Sequence, residues 1–180
     1  RLDRHSLRIL VTDDDRNNSD AAIKPDVDTT EYLTDKIFMR NEVDIITTVH
    51  TPANWANVTS LTSTLAWSAN TTLSNPILFV DSAASVILQN SGKMPNVVAM
   101  DHRTFVAAKE HTSIVDRVKY GQTSGIAQVD TAELMALLKL RQIFVMKAIE
   151  ATSLEGAANV HAFIGGKKAL LCYAAPAPGL

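Results

Sequence analysis

Chemistry needs particular side chains at particular spacings, and this sequence offers several places to test. Asp13, Asp15 and Asn17 alternate in DDDRNNSD as the first ligands of a calcium loop do. Such a loop also needs glycine at its sixth position for a sharp turn and a bidentate carboxylate at its twelfth, and here those positions hold Asn18 and Lys24. The stretch therefore reads as a solvated loop. Gly92-Lys93 and Gly166-Lys167 could each close a phosphate-cradling loop, but the first glycine of that motif is replaced by Ile87 and His161. GQTSG, from Gly121 to Gly125, puts Ser124 one position too late for a nucleophile elbow and reads as a turn. His5, His50, His102, His111 and His161 form no H-E-x-x-H or other close ligand pair. Asp35, Lys36, Arg40, Glu42 and Asp44 crowd together without a nucleophile, base or ligand pattern, so they read as the ion-paired surface of a helix. The triplets starting at Asn17, Asn57 and Asn70 match a glycosylation acceptor, but a chain rich in Asn, Ser and Thr forms them by chance. No cofactor or metal is expected, and a structural protein leads over an enzyme.

The elements that would position these residues follow from periodicity and punctuation. Residues 13–28 are polar and aperiodic and read as a loop into a helix over Thr29 to Val49, TTEYLTDKIFMRNEVDIITTV. Asp28 or Thr29 can cap that helix, with Glu31 favouring its N-terminal dipole. At about 100° per residue its apolar side chains surround most of the circumference, so one buried face does not account for them. From Thr51 to Asn75 the chain is rich in Thr, Ser and Asn, with Trp55 and Trp67 as isolated anchors, and reads as an extended connection with short strands. Asn75-Pro76 opens a second helix, striped by Ile77, Val80, Ala84, Ile87 and Leu88 and ended by Gly92. Val97 to Met100 reads as a buried strand, with Asp101 capping the next helix. HRTFVAAKEH and TSIVDRVKY are helical, and Asp130 with Glu133 makes a capping box for TAELMALLKL. QIFVMKAI is strand-like, and NVHAFIGGKKALLCYA reads as a tight hairpin turning at Gly165-Gly166. Without a regular βαβ repeat, the class is α+β.

Bulk composition narrows the partners. The chain has 180 residues, 46% of them apolar, enough for one good core or two lobes. A net charge of −2 supplies no basic field for gripping nucleic acid. Cys172 stands alone, so an internal disulfide is impossible and a reducing compartment fits. No apolar run approaches the roughly 20 residues that cross a bilayer, and the expectation is an intracellular, soluble protein without membrane contact. The chain begins without methionine and ends on APAPGL, which reads as a piece cut from something longer.

Motif order carries more information than any single motif. TEYLTDKIFMRNEVDI, then Trp67-Ser68 leading to Asn75-Pro76-Ile77, then PNVVAM, HTSIVDRVKYG and TAELMALL together resemble the major capsid proteins of tailed bacteriophages and prophages. The likeness covers roughly residues 29–140. It implies the Hong Kong 97-type capsid fold, with a long spine helix in a peripheral domain and a mixed α/β axial domain. On that resemblance, residues 1–60 hold the end of the extended-loop region and the peripheral domain, with the spine helix at 29–49. Residues 61–155 match the axial domain, and 156–180 match strands returning toward the periphery. The family's covalent lysine–asparagine cross-link has no residue here that matches it. The implied function is self-assembly into pentamers and hexamers of an icosahedral shell around double-stranded DNA. Implied partners are further copies of the chain, scaffold and portal proteins, and packaged DNA through non-specific contact. The implied location is the virion, and the host cytoplasm during assembly. Phe38, Arg40, Glu42, Ile45 and Val49 on the helix, with Trp67 beyond it, are the expected assembly residues. Phe38, Ile45 and Val49 are expected to stay exposed in an isolated chain. Two other readings are an encapsulin-like nanocompartment shell, which needs a cargo groove, and a small α+β enzyme using dispersed residues such as His102, Asp116 and Arg117, which needs a deep polar pocket.

Overall fold

The computed structural model describes residues 5–20, 23–121, 129–154 and 156–175. The chain divides into two compact units, Arg1–Val49 and His50–Leu180.

Two parts of the expected loop at residues 13–28 are helical, 13–18 and 25–28. Helix α1 spans Asp13–Asn18. Thr12 starts it with a reciprocal cap: the Asp15 amide donates to Thr12 Oγ1 at 3.2 Å, and the Thr12 amide donates back to Asp15 Oδ2 at 3.0 Å. The aspartates that suggested calcium ligands instead occupy the first turn of a helix, where its dipole favours negative charge. Hydrogen bonds from Thr12 hold the Asp15 carboxyl below the usual range. Arg16 reaches both Asp13 at 3.1 Å and Asp26 at 3.0 Å. Helix α2, Pro25–Val49, has 25 residues and begins four before the expected start. Pro25 takes the first helical position, where a missing N–H costs nothing, and Asp26 and Asp28 fill the first turn. At 1.5 Å per residue the helix runs about 37 Å.

In the second unit, residues 50–75 form three short 3-10 turns, Pro52–Asn54, Ser63–Leu65 and Trp67–Ala69, and no strand. Helix α3, Pro76–Ser91, follows the expected punctuation. Asn75 Oδ1 accepts from the Ile77 amide at 3.1 Å, and Gly92 closes the helix at φ 69° with its N–H donating to Leu88 O. Ile77, Val80 and Ala84 form its buried face, while Leu88 stays exposed.

Strand β1, Val97–Asp101, is buried at both ends and both faces, as the middle strand of a sheet must be. It leads into α4, His102–Lys109, then α5, Thr112–Gly121, and α6, Thr131–Leu137, before β2, Gln142–Met146, lies parallel to it. The Asp130–Glu133 box starts α6 as expected. Ile77, Val98, Met100, Ile114, Leu134 and Ile143 belong to the core that packs these helices on the sheet. The GQTSG turn lies mostly outside the described residues.

The expected hairpin at Gly165-Gly166 is not formed. Strand β4, His161–Phe163, pairs antiparallel with β3, Ile149–Ala151, whereas β5, Ala169–Cys172, pairs antiparallel with the other edge of β1. The Asn96 side chain pins β5 by bonding the Ala174 carbonyl and amide, each at 2.8 Å. Gly165 lies against the buried Asp101, and a Cβ there would sit 2.9 Å from Asp101 Cβ. The glycines thus redirect the chain between two sheets. Among the described residues no helix is long and apolar enough to cross a membrane. The architecture is a mixed α+β fold.

Candidate assembly surface

The apolar residues of α2 fall into three arcs when projected at about 100° per residue. Val27, Phe38, Ile45 and Val49 make one; Tyr32, Met39, Val43 and Ile46 a second; Leu33 and Ile37 a third. Burial separates them. Phe38 and Ile45 are 67% and 63% exposed, Val27 is also exposed, and Val49 is half-buried. Ile46 is buried in the second arc, while Leu33 and Ile37 are half-buried. Phe38 and Ile45 therefore leave an exposed apolar strip along one side of the helix.

The charged cluster on α2 resolves into a pair and bystanders. Asp44 accepts from Arg40 at 3.1 Å and from His5 at 2.9 Å, beside a polar depression of about 390 Å³ that Asn41 and Thr48 also line. Glu42 is exposed. The Lys36 ammonium stands 5.1 Å from the Tyr32 ring centroid. Exposed pairs of this kind contribute roughly 0–1 kcal/mol, so they orient side chains more than they stabilise the helix. Trp67 is half-buried and packs against the core of the second unit, whereas Trp55 is 45% exposed. Exposed Leu73, Leu78 and Tyr120 add apolar surface on the second unit.

A depression of about 540 Å³ lies on the second unit among Trp67, Asn70, His102, Arg103, Glu110 and His111. Sequence reasoning missed the polar cluster behind it, because its members are far apart in the chain. Ser74 and His111, 37 positions apart, are 0% and 1% exposed, with Ser74 Oγ 2.9 Å from His111 Nε2. The Ser113 amide donates to His111 Nδ1 at 3.2 Å, which makes Nδ1 the acceptor and leaves the hydrogen on Nε2, donated to Ser74 Oγ. Ser74 Oγ in turn donates to Thr71 O at 3.0 Å and accepts from the Thr71 amide at 2.9 Å. A serine beside a histidine suggests nucleophilic chemistry. Here the hydroxyl is sealed and the ring's Nε2–H points at it as a donor, so the arrangement holds structure. Asp116 and Arg117 are exposed on α5 away from any such cluster. Among the described residues no group of three or more His, Cys, Asp or Glu could hold a metal ion.

No family model matches the sequence, and no curated protein matches it. The fold does have solved likenesses. A phage-related protein from Bordetella bronchiseptica superposes with a TM-score of 0.71 at 23% sequence identity. The match covers 91% of this chain and 54% of that protein, so the chain spans about half its length. At this identity the likeness is one of fold.

Proposed function

We propose that the chain is the shell-forming part of a major capsid protein of the tailed-phage type, a structural protein and not an enzyme. The observation that carries this reading is α2, a helix about 37 Å long that leaves Phe38 and Ile45 open while sharing a fold with a phage-related protein. A shell subunit needs broad surfaces that meet copies of themselves more than it needs a pocket, and many modest contacts repeated by symmetry supply the assembly energy. In this reading α2 is the spine of the peripheral domain, 61–155 form the axial domain and 156–180 run back toward the periphery. The net charge of −2 lets many copies approach without strong repulsion and contains DNA without gripping it. Partners are further copies in pentamers and hexamers, with scaffold and portal proteins during assembly in the host cytoplasm, and the end point is the virion.

Electron microscopy with sedimentation velocity, on protein expressed alone and with neighbouring scaffold and protease, tests this. Closed shells, or rings of five or six, are the expected result. A strict monomer that turns over a small molecule would sink the proposal.

A further inference from the structure

His111 sits where three elements meet: the end of α4, the first turn of α5 and the turn leading into α3. It is the N-cap of α5, since the Ile114 and Val115 amides donate to its carbonyl while the Ser113 amide donates to its ring. The Ser113 hydroxyl stands between two acceptors, His111 Nδ1 at 2.8 Å and Asn75 Oδ1 at 3.2 Å. Asn75 Oδ1 is already capping α3. We propose that this cluster is an acid-labile cap, in which protonation of His111 removes the ring's hold on the first turn of α5.

The argument rests on what a proton at Nδ1 would meet. In the neutral ring Nδ1 accepts from Ser113. Once protonated, it faces the Ser113 amide donor to donor and the ring's cap on α5 is lost, while its hydrogen goes to Ser113 Oγ, whose own hydrogen goes to Asn75 Oδ1. The new charge has no water, because the residue is 1% exposed. It also lies at the positive ends of two helices, α5 and α3. Compensating charge is scarce on every side. Residues 62–80, which carry the 3-10 turns and the start of α3, contain no ionisable side chain. Helix α4 brings His102 and Arg103 to the shared depression, and Glu110 at its end is the lone anion there; Asp116 and Arg117 of α5 are exposed further along. Burial accordingly holds His111 below the ordinary histidine value of 6.5.

Because the folded-state value is depressed, the stabilisation is complete above the unfolded value and is lost as pH falls below it toward the folded midpoint. The proposal is independent of shell formation.

The test follows all five histidine rings by NMR, and amide exchange at Ser113 and Ile114, from about pH 7.5 to 4.5. His111 is expected to remain neutral, as the Nε2–H tautomer, on passing the ordinary histidine value of 6.5 and to take its proton only at lower pH. As pH falls from the unfolded value toward the folded midpoint, exchange at Ser113 and Ile114, corrected for intrinsic rates, is expected to rise by up to about tenfold per pH unit and to level off below that midpoint. His111→Asn keeps a cap acceptor that does not titrate, and its α5 amides are expected to show no such rise. Titration of His111 at or above the ordinary histidine value of 6.5 would overturn the proposal, as would equal acid sensitivity of α5 in the two proteins. If the variant does not fold, the wild-type titration and exchange decide alone.

Discussion

Replacing both Phe38 and Ile45 by serine separates assembly from folding. Phe38 is 67% exposed and Ile45 63%, so little of either side chain is committed to the chain's own fold. A Phe side chain carries roughly 200 Å² of surface, so about 130 Å² awaits burial at Phe38, worth about 3 kcal/mol at roughly 25 cal/mol per Å². The same reasoning gives about 1–2 kcal/mol for Ile45. If a neighbouring copy covers both, the double variant loses about 4–5 kcal/mol per contact, on the order of a thousandfold in association. Serine differs little from Phe or Ile in helix propensity, and exposed substitutions stay within about 0.5 kcal/mol, so the melting temperature is expected to move by about 1–2 °C. Sedimentation velocity and electron microscopy read the association, and circular dichroism reads the melt. Assembly of the double variant at the wild-type concentration would refute the reasoning. A collapse of the melting temperature would refute it too, by showing that the arc belongs to the internal core.

Other substitutions probe the fold itself. Ile114, 0% exposed within the core, is expected to cost about 2–4 kcal/mol when cut to alanine, read as a lower urea midpoint with an unchanged slope. Gly165→Ala pushes a Cβ to 2.9 Å from Asp101 Cβ and 3.1 Å from Met146 Cε, and is expected to cost about 1–3 kcal/mol. Gly92→Ala meets open space but holds φ at +69°, so thermal melts are expected to show only the backbone cost, about 1 kcal/mol.

The elements that could be read in advance are those whose signals are local and agree. Asn75, Pro76 and Gly92 bracket α3; Asp101 separates β1 from α4; Asp130 and Glu133 start α6. Each pairs a cap residue with the periodicity beside it, and tertiary context did not override them. Helix α1 was missed for a different reason. Three consecutive aspartates suggested ligands or loop, yet Thr12 and Asp15 already stood at the spacing of a reciprocal cap, and Pro25 already marked a first helical turn. The destination of β5 was not legible, because which strand pairs with β1 depends on packing and on the Asn96 clamp 78 positions from Ala174. The Ser74–His111 joint was hidden in the same way. Trp55 and Trp67 looked alike in sequence, and only burial tells that Trp67 packs on the core.

The open arc on α2 also constrains how association would proceed. Val27, Phe38 and Ile45 together leave on the order of 300 Å² uncovered, against roughly 800 Å² per partner in a standard stable interface. One helix face is therefore too small to hold a pair of copies together. Further surface lies on the second unit, where Leu73, Leu78 and Tyr120 are exposed, and a copy using several small patches gains most when a closed ring satisfies all of them at once. On the shell reading, the expected behaviour is a threshold: monomers below a critical concentration, closed assemblies above it, and few dimers between. Analytical ultracentrifugation across a dilution series checks this, and a stable, concentration-independent dimer would refute it by showing that one larger interface holds the copies together.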